Sequence, residues 1–273
     1  VCLPPGFSGL VGFTASASPS SFTLEPGGKQ TIQITFTRTS AALNAYTGGQ
    51  ITWTGSKGHR VRIPAVIRPV ALSAPVQVSG SGEAISYGVT FGYSGAFSAA
   101  ARGLVPAVTQ TGTVSDDPTD TFVPGGPGTT AFTVSIPAGA TYARFSLFDD
   151  AITAGGNDVD LYVYNGATQV GSSGGGTSAE EVNLINPAAG DYTVYVHGWG
   201  VTTGTADFTL FSWALGSTAA GNMTVTAPAA AVQGPGAISL SFSGLTAGRY
   251  LGSVAYSGIA GLPNPTIVYV NQP

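Results

Sequence analysis

ARFSLFDD at residues 143–150 and GNDVDLYVY at residues 156–164 alternate apolar and polar side chains on either side of an acidic loop. A period of two is the pattern of strands that bury one face. The apolar positions are Phe145, Leu147, Leu161 and Val163. We therefore expect two strands that bury these side chains and are joined by the loop between them.

The acidic loop is a candidate cation site. Its oxygen-bearing side chains are Asp149, Asp150, Asn157, Asp158 and Asp160. Carboxylates this close repel each other unless a cation lies among them or water solvates them. Calcium is the cation we expect, because it takes several oxygen ligands from flexible loops, although the spacing is not that of an EF-hand. The sequence leaves two interpretations open, a calcium site and a solvated acidic loop.

The composition indicates an all-β chain built from several modules. Its 273 residues include 40 Gly and 18 Pro, and only 8% are charged. Apolar alternation between these Gly and Pro residues predicts many short strands and turns. No stretch shows convincing helical periodicity with caps, and the length allows two or three modules.

The sequence disfavours several classes of protein. A single cysteine, Cys2, rules out a disulfide within the chain. No run of 18 apolar residues predicts a membrane span, no signal peptide opens the chain, and no nucleic-acid motif is present. Few lysines, abundant Thr, Ser, Gly and Asn, and a net charge of −4 are typical of a secreted protein, so we expect an extracellular location.

The charges divide unevenly along the chain. Residues 1–71 hold six Lys or Arg and one acid, for a net charge of +5. Residues 72–215 hold two Arg and twelve acids, for −10, and residues 216–273 hold one Arg. Distinct modules explain this distribution, and the middle module is acidic enough to attract cations.

Strand patterns suggest how these modules are arranged. Residues 1–71 read as an immunoglobulin- or fibronectin-like β-sandwich, truncated at its front, with Val61 and Ile63 pointing inward. The strand-loop-Tyr-Gly-strand pattern of residues 29–53 recurs in residues 236–256, which indicates a second fibronectin-like sandwich. We predict that it is discontinuous, made of residues 72–110 and 216–273, with a jelly-roll-like β-sandwich inserted as residues 111–215.

Two segments resemble known families. TRTSAALNAYTGGQITW (residues 37–53) with VRIPAVIRPV (residues 61–70) resembles the fibronectin type III-like module of secreted subtilisin-like serine proteases. DVDLYVY (residues 158–164) with NPAAGDYTVYVHG (residues 186–198) is similar to the bacterial pre-peptidase C-terminal (PPC) domain, a β-sandwich appended to extracellular peptidases. The resemblance implies a non-catalytic C-terminal region of such a protease.

The resemblance also implies what this region does. It would stabilise the protease or bind its substrate or an extracellular surface, with the protease's own catalytic domain as its partner. The chain itself is not expected to be an enzyme: only GTSA (residues 176–179) resembles a subtilase serine motif, and it is followed by Glu180 and Glu181 rather than by Met, Ala and Pro. The two histidines, His59 and His197, have no accompanying catalytic motif, so a structural role is expected for each.

Two further alternatives remain open. Trp199 lies between two glycines and is the tryptophan that we expect to be exposed and to contact a ligand, whereas Trp53 and Trp213 sit in alternating strands typical of core packing. The alternative function is structural or adhesive. A sandwich without its front strands exposes edges, so the chain could self-assemble by β-strand complementation.

Overall fold

The first module consists of two small sheets. In the computed structural model, which describes residues 1–153 and 155–273, one sheet has the order β1-β4-β5 and the other pairs β2 with β3. Phe7 and Phe36 make an edge-to-face contact between the sheets at 6.3 Å. The strands are β1 (Gly6–Ser8), β2 (Phe13–Ser18), β3 (Gln33–Arg38), β4 (Thr47–Thr54) and β5 (Arg60–Ile67).

One expectation for this module is wrong. Val61 and Ile63 alternate as inward positions should, yet they are 57% and 45% exposed. Their cross-strand neighbours on β4, Trp53 and Ile51, are buried. The difference arises because the described residues cover the inner face over β4 but not over β5.

Five short strands follow before the chain enters the acidic module. They are β6 (Leu72–Ser73), β7 (Gln77–Gly80), β8 (Ile85–Phe91), β9 (Gly95–Ala96) and β10 (Ser98–Pro106). Alternate residues of β8 are buried, namely Tyr87, Val89 and Phe91. These strands do not form a sandwich among themselves, because their partners lie mainly in the last part of the chain.

The acidic module is a sandwich of two four-stranded sheets, ordered β11-β18-β13-β16 and β12-β17-β14-β15. Its strands are β11 (Val108–Ser115), β12 (Thr129–Ile136), β13 (Tyr142–Ser146), β14 (Asp158–Asn165), β15 (Thr168–Ser173), β16 (Glu181–Ile185), β17 (Gly190–Gly200) and β18 (Thr205–Leu215). Phe145, Leu147, Leu161 and Val163 all lie in the core. Because β13 and β14 belong to opposite sheets, the acidic loop carries the chain from one sheet to the other. It contains a 3₁₀ turn at Asp149–Ala151.

The last strands complete the second sandwich. They are β19 (Met223–Thr226), β20 (Ala230–Ala231), β21 (Gly234–Phe242), β22 (Gly248–Ser257) and β23 (Thr266–Gln272). The sheets β10-β22-β23-β7 and β19-β21-β8-β6 each combine strands from both sides of the acidic module, around one core. The predicted all-β, multi-sandwich class is confirmed; the module boundaries at residues 71, 110 and 215 stay a prediction.

The acidic module and the second sandwich share an apolar seam. Trp213 and Leu215 of β18 pack with Leu251 of β22 and Ile267 of β23. All four side chains are buried. Within the described part of the chain, no helix has the length and apolar character that crossing a membrane requires.

Candidate functional site

One end of the acidic module buries a carboxylate against a histidine. His197 of β17 and Asp117, just after β11, are both fully buried, and His197 Nε2 lies 2.9 Å from Asp117 Oδ2. Asp117 also accepts from the backbone N–H and the hydroxyl of Thr119, at 2.9 and 2.8 Å. The hydrogen bond from His197 is the main reason that the pKa of Asp117 is lowered from 3.8 to about 2, and the Thr119 backbone adds to it. Asp117 is therefore a carboxylate held in its charged form.

The chain reaches this arrangement through close backbone contacts. The Asp117 N–H donates to the Gly198 carbonyl, and the Gly198 N–H donates to the Gly128 carbonyl, each at 2.9 Å. A Cβ at residue 198 would lie only 2.3 Å from the Ser115 carbonyl oxygen. Glycine at this position therefore allows the segment after β11 to cross β17 and bring Asp117 to His197.

Two predicted cation ligands lie beside this pair. Asp158 and Asp160 lie on the same face of β14, since alternate residues of a strand share a face. Asp160 is 5% exposed, and its Oδ2 lies 3.8 Å from His197 Nδ1. Asp158 Oδ1 and His197 Nδ1 are buried and have no hydrogen-bond partner among the described residues. These two buried polar atoms are therefore available to contact a ligand.

The surroundings of Asp158 and Asp160 disfavour their charged forms. Burial raises the pKa of Asp158 above 3.8. Burial is also the first cause of the raised pKa of Asp160, followed by the negative charges of Asp158 and, more weakly, Glu180. A cation between them would relieve both the burial and the repulsion.

Sequence reasoning missed a third buried carboxylate, Glu180. It is 4% exposed, accepts from the Gly175 N–H at 2.7 Å and accepts from the Ser173 hydroxyl. Asp117 was missed as well. Both stand in acidic pairs of the sequence, at residues 116–117 and 180–181, but the folding that brings them to β14 and β17 has no local signal.

The other three predicted ligands, Asp149, Asp150 and Asn157, are exposed or bonded to other groups. Asp149 is exposed, and Asp150 pairs with Arg249 at 2.6 Å. The Asn157 side chain donates to the Thr153 carbonyl at 2.9 Å. Among residues 1–153 and 155–273, no three His, Cys, Asp or Glu side chains already converge as a metal site. The structure thus groups Asp158 and Asp160 but not all five residues, and the calcium interpretation stays a prediction.

An aromatic cluster covers the outer face of β14 and β17 next to the carboxylates. Phe122 stacks on Tyr162 with ring centroids 3.7 Å apart and 3° between the planes, and it also contacts Tyr195 and His197 at 5.7 and 5.6 Å. Trp199 lies at the rim, 42% exposed and 6.2 Å from the His197 ring. Its indole is the exposed aromatic surface of this site.

The serine and histidine side chains considered for catalysis do not form a catalytic pair. Ser178 is 2% exposed, and its hydroxyl donates to the Asn157 carbonyl at 2.8 Å. His197 is buried against Asp117, and His59 is exposed in the first module. Neither histidine forms a hydrogen bond with Ser178 among the described contacts, so these groups are not arranged as a serine nucleophile with its base.

A cleft of about 420 Å³ lies at the seam between the acidic module and the second sandwich. Its polar end is formed by Arg144, which is 3% exposed, 3.0 Å from Glu181 and 2.7 Å from Asn183. Gln77 of the second sandwich accepts from Arg144 at 2.6 Å. The apolar walls are Pro75, Val76, Ile185, Pro263, Pro265 and Ile267.

Two family models match this chain. Residues 7–67 match a fibronectin type-III domain, and residues 128–198 match the bacterial pre-peptidase C-terminal domain. The chain therefore carries a fibronectin type III-like domain and a PPC domain, which confirms the two domain types that the sequence resembles. The second match includes Asp158, Asp160, Glu180 and His197. No curated protein matches the chain.

Solved structures resemble the chain only distantly. One contains the M60 catalytic domain with the CBM51-1 and CBM51-2 domains of Clostridium perfringens ZmpB: identity is 10%, the TM-score is 0.28, and the match covers 95% of this chain. The chain spans 36% of that structure's length. Another is the structure of a carbohydrate-binding module from the β-sandwich superfamily. Its identity to this chain is 12% and the TM-score is 0.24, and the match covers 79% of this chain and 97% of that module's chain. At these TM-scores the similarities carry no functional argument.

Proposed function

We propose that this chain is the non-catalytic C-terminal region of a secreted subtilisin-like serine protease, which stabilises the protease or holds it on its substrate or on an extracellular surface. The observation that carries the proposal is the match of residues 128–198 to a domain named for bacterial pre-peptidases. The fibronectin type III-like domain precedes it, in the order that the sequence resemblance implies. The buried Ser178 and the occupied His197 support a non-catalytic role.

Binding is supported by two surfaces of the region. Trp199 offers an exposed ring beside a packed aromatic cluster, which suits contact with an apolar or ring-shaped group of a ligand. The seam cleft is concave, mostly apolar and lined at one end by a buried arginine, which is the general character of a ligand pocket. Both lie on or beside the PPC domain.

We propose that the region binds calcium as a cofactor. Asp158 and Asp160 would hold the ion, because Asp160 is buried, its charge interacts with that of half-buried Asp158, and the buried Oδ1 atom of Asp158 lacks a partner among the described residues. Backbone carbonyls and water can complete the coordination of this ion. Its role would be structural: it stabilises the folded state outside the cell by binding only that state.

The alternative, an adhesive protein that self-assembles by strand complementation, has one supporting observation. β5 is the last strand of its sheet and is exposed. Arg60, Arg62 and Pro64 on this strand disfavour pairing with a second copy, since like charges repel and proline lacks an N–H. We therefore place this function second.

Capture and activity labelling of the native polypeptide test the proposal. An antibody against residues 1–273 would capture it from the culture medium of the source cells, and a fluorophosphonate probe would label any active serine hydrolase in the capture. We expect the label on the same polypeptide that the antibody binds, in the medium. Capture of an unlabelled protein, or of one confined to the cell pellet, would contradict the proposal.

A further inference from the structure

The first module presents a strand edge that the described residues leave unpaired. β5 is eight residues long and has β4 as its one neighbour in the sheet β1-β4-β5 of the described chain. An exposed edge of this length carries unpaired N–H and C=O groups that can accept another strand. Pro64 has no N–H, so residues 60–63 are the part of the edge best able to pair.

The two faces of this segment differ in chemistry. Val61 and Ile63 share one face and are 57% and 45% exposed. Arg60 and Arg62 lie on the other face and are exposed. The salt bridges formed by the described residues do not include either arginine. Segment 60–63 is therefore apolar on one side and positively charged on the other.

This chemistry selects the partner. Residues 1–71 carry a net charge of +5, so a second copy of the module would meet a like-charged edge. A strand that alternates acidic and apolar side chains would place its carboxylates beside Arg60 and Arg62 and its apolar groups beside Val61 and Ile63. Both the charges and the exposed apolar area would then be matched.

We propose that β5 is a docking edge for an extended acidic segment of a protein partner, which pairs with residues 60–63 as an additional strand. This inference does not depend on the protease assignment, because it concerns the fibronectin type III-like domain alone. Backbone hydrogen bonds supply the pairing, and the two arginines supply the selectivity for an acidic strand.

Two synthetic peptides test this edge by NMR of the ¹⁵N-labelled chain. Ac-Thr-Glu-Val-Glu-Val-Thr-NH₂ should cause saturable, salt-sensitive shifts of the amide signals of residues 60–63. Ac-Thr-Lys-Val-Lys-Val-Thr-NH₂ should not. Arg62→Glu should bind the acidic peptide roughly tenfold more weakly and gain binding of the basic one, because the cross-strand charge is reversed.

Lys29→Glu is the matched control, since it makes the same charge change at an exposed position of the same module. This variant should bind the acidic peptide as the wild type does and should not bind the basic peptide. Arg60→Glu is a second test variant if Arg62→Glu loses the native spectrum. Absence of saturable shifts with the acidic peptide, or equal binding to Arg62→Glu and the wild type, would overturn the proposal.

Discussion

Arg249 of β22 donates from Nη2 to both carboxylate oxygens of Asp150, at 2.6 and 2.7 Å, and so joins the second sandwich to the acidic loop. The same guanidinium lies 3.8 Å from the centroid of the Phe148 ring and donates to the Tyr269 hydroxyl at 2.9 Å. Asp150 is thereby committed to a contact between modules. Asp150 thus pairs with Arg249, whereas Asp158 and Asp160 lie on β14, although all three stand in one acidic stretch of the sequence.

The Arg249–Asp150 pair should couple the two modules modestly. A double-mutant cycle with Arg249→Ala and Asp150→Ala should give a coupling energy of about 0.5–1 kcal/mol in chemical denaturation, because the Asp150 side chain is 67% exposed and solvent screens the pair. Asp149→Ala, the exposed neighbour, should show no coupling with Arg249→Ala. Equal coupling for both aspartates would contradict the assigned contact.

Asp117 should make stability depend on pH in the acidic range. Its pKa is about 2 in the folded protein against 3.8 ordinarily, so its contribution is fully present above about pH 4 and is lost as the pH falls through about 2. The difference in Tm between the wild type and Asp117→Asn should therefore shrink from pH 5 to pH 2. A difference in Tm that is the same at pH 5 and at pH 2 would contradict this role of Asp117.

Calcium should raise the Tm if Asp158 and Asp160 hold the ion. At a calcium concentration about 100 times Kd the rise should be roughly 5–10 °C, from mass action on the folded state. Asp160→Asn should abolish the rise. In chelator at neutral pH the same variant should melt above the wild type, because the raised pKa of Asp160 means that its charged form is disfavoured by burial and by Asp158.

Asp149→Asn is the control for the calcium measurement. Its carboxylate belongs to the same acidic stretch but is exposed, so this variant should keep the full calcium-dependent rise. A wild type whose Tm is the same with calcium and with chelator would instead make the stretch a solvated acidic loop.

Gly198 should tolerate no side chain. Gly198→Ala would place a Cβ 2.3 Å from the Ser115 carbonyl, and we expect a loss of about 1–3 kcal/mol in the free energy of unfolding. Gly200→Ala is a close control, because a Cβ there would meet Asp158 at an ordinary 3.6 Å. Guanidinium denaturation measures both. A smaller loss for Gly198→Ala than for Gly200→Ala would contradict the packing described here.

Period-two alternation predicts the core of the acidic module well. Phe145, Leu147, Leu161 and Val163 are all buried, because a strand of a sandwich must turn one face to the opposite sheet. The same pattern fails at Val61 and Ile63. Alternation specifies which face is apolar, but a face is buried only where another element covers it, and this coverage is a tertiary property.

The candidate site was predictable only in part. Asp158 and Asp160 follow from the local pattern, since alternate residues on one strand share a face. Asp117, Glu180 and His197 join them through contacts between residues far apart in the chain, as in the separation of 80 residues between Asp117 and His197. The pairing of Asp150 with Arg249 spans 99 residues and was equally invisible to local patterns.

The most direct measurement takes the native polypeptide that contains residues 1–273, which we propose to be a protease, and compares it with a variant that lacks these residues. Both would be assayed for half-life at elevated temperature with calcium present, and for retention on insoluble protein substrate. We expect the shortened protease to cleave a small soluble peptide with unchanged kcat/KM but to lose activity sooner or to bind insoluble substrate more weakly. Identical half-lives and identical retention would contradict an accessory role for this region.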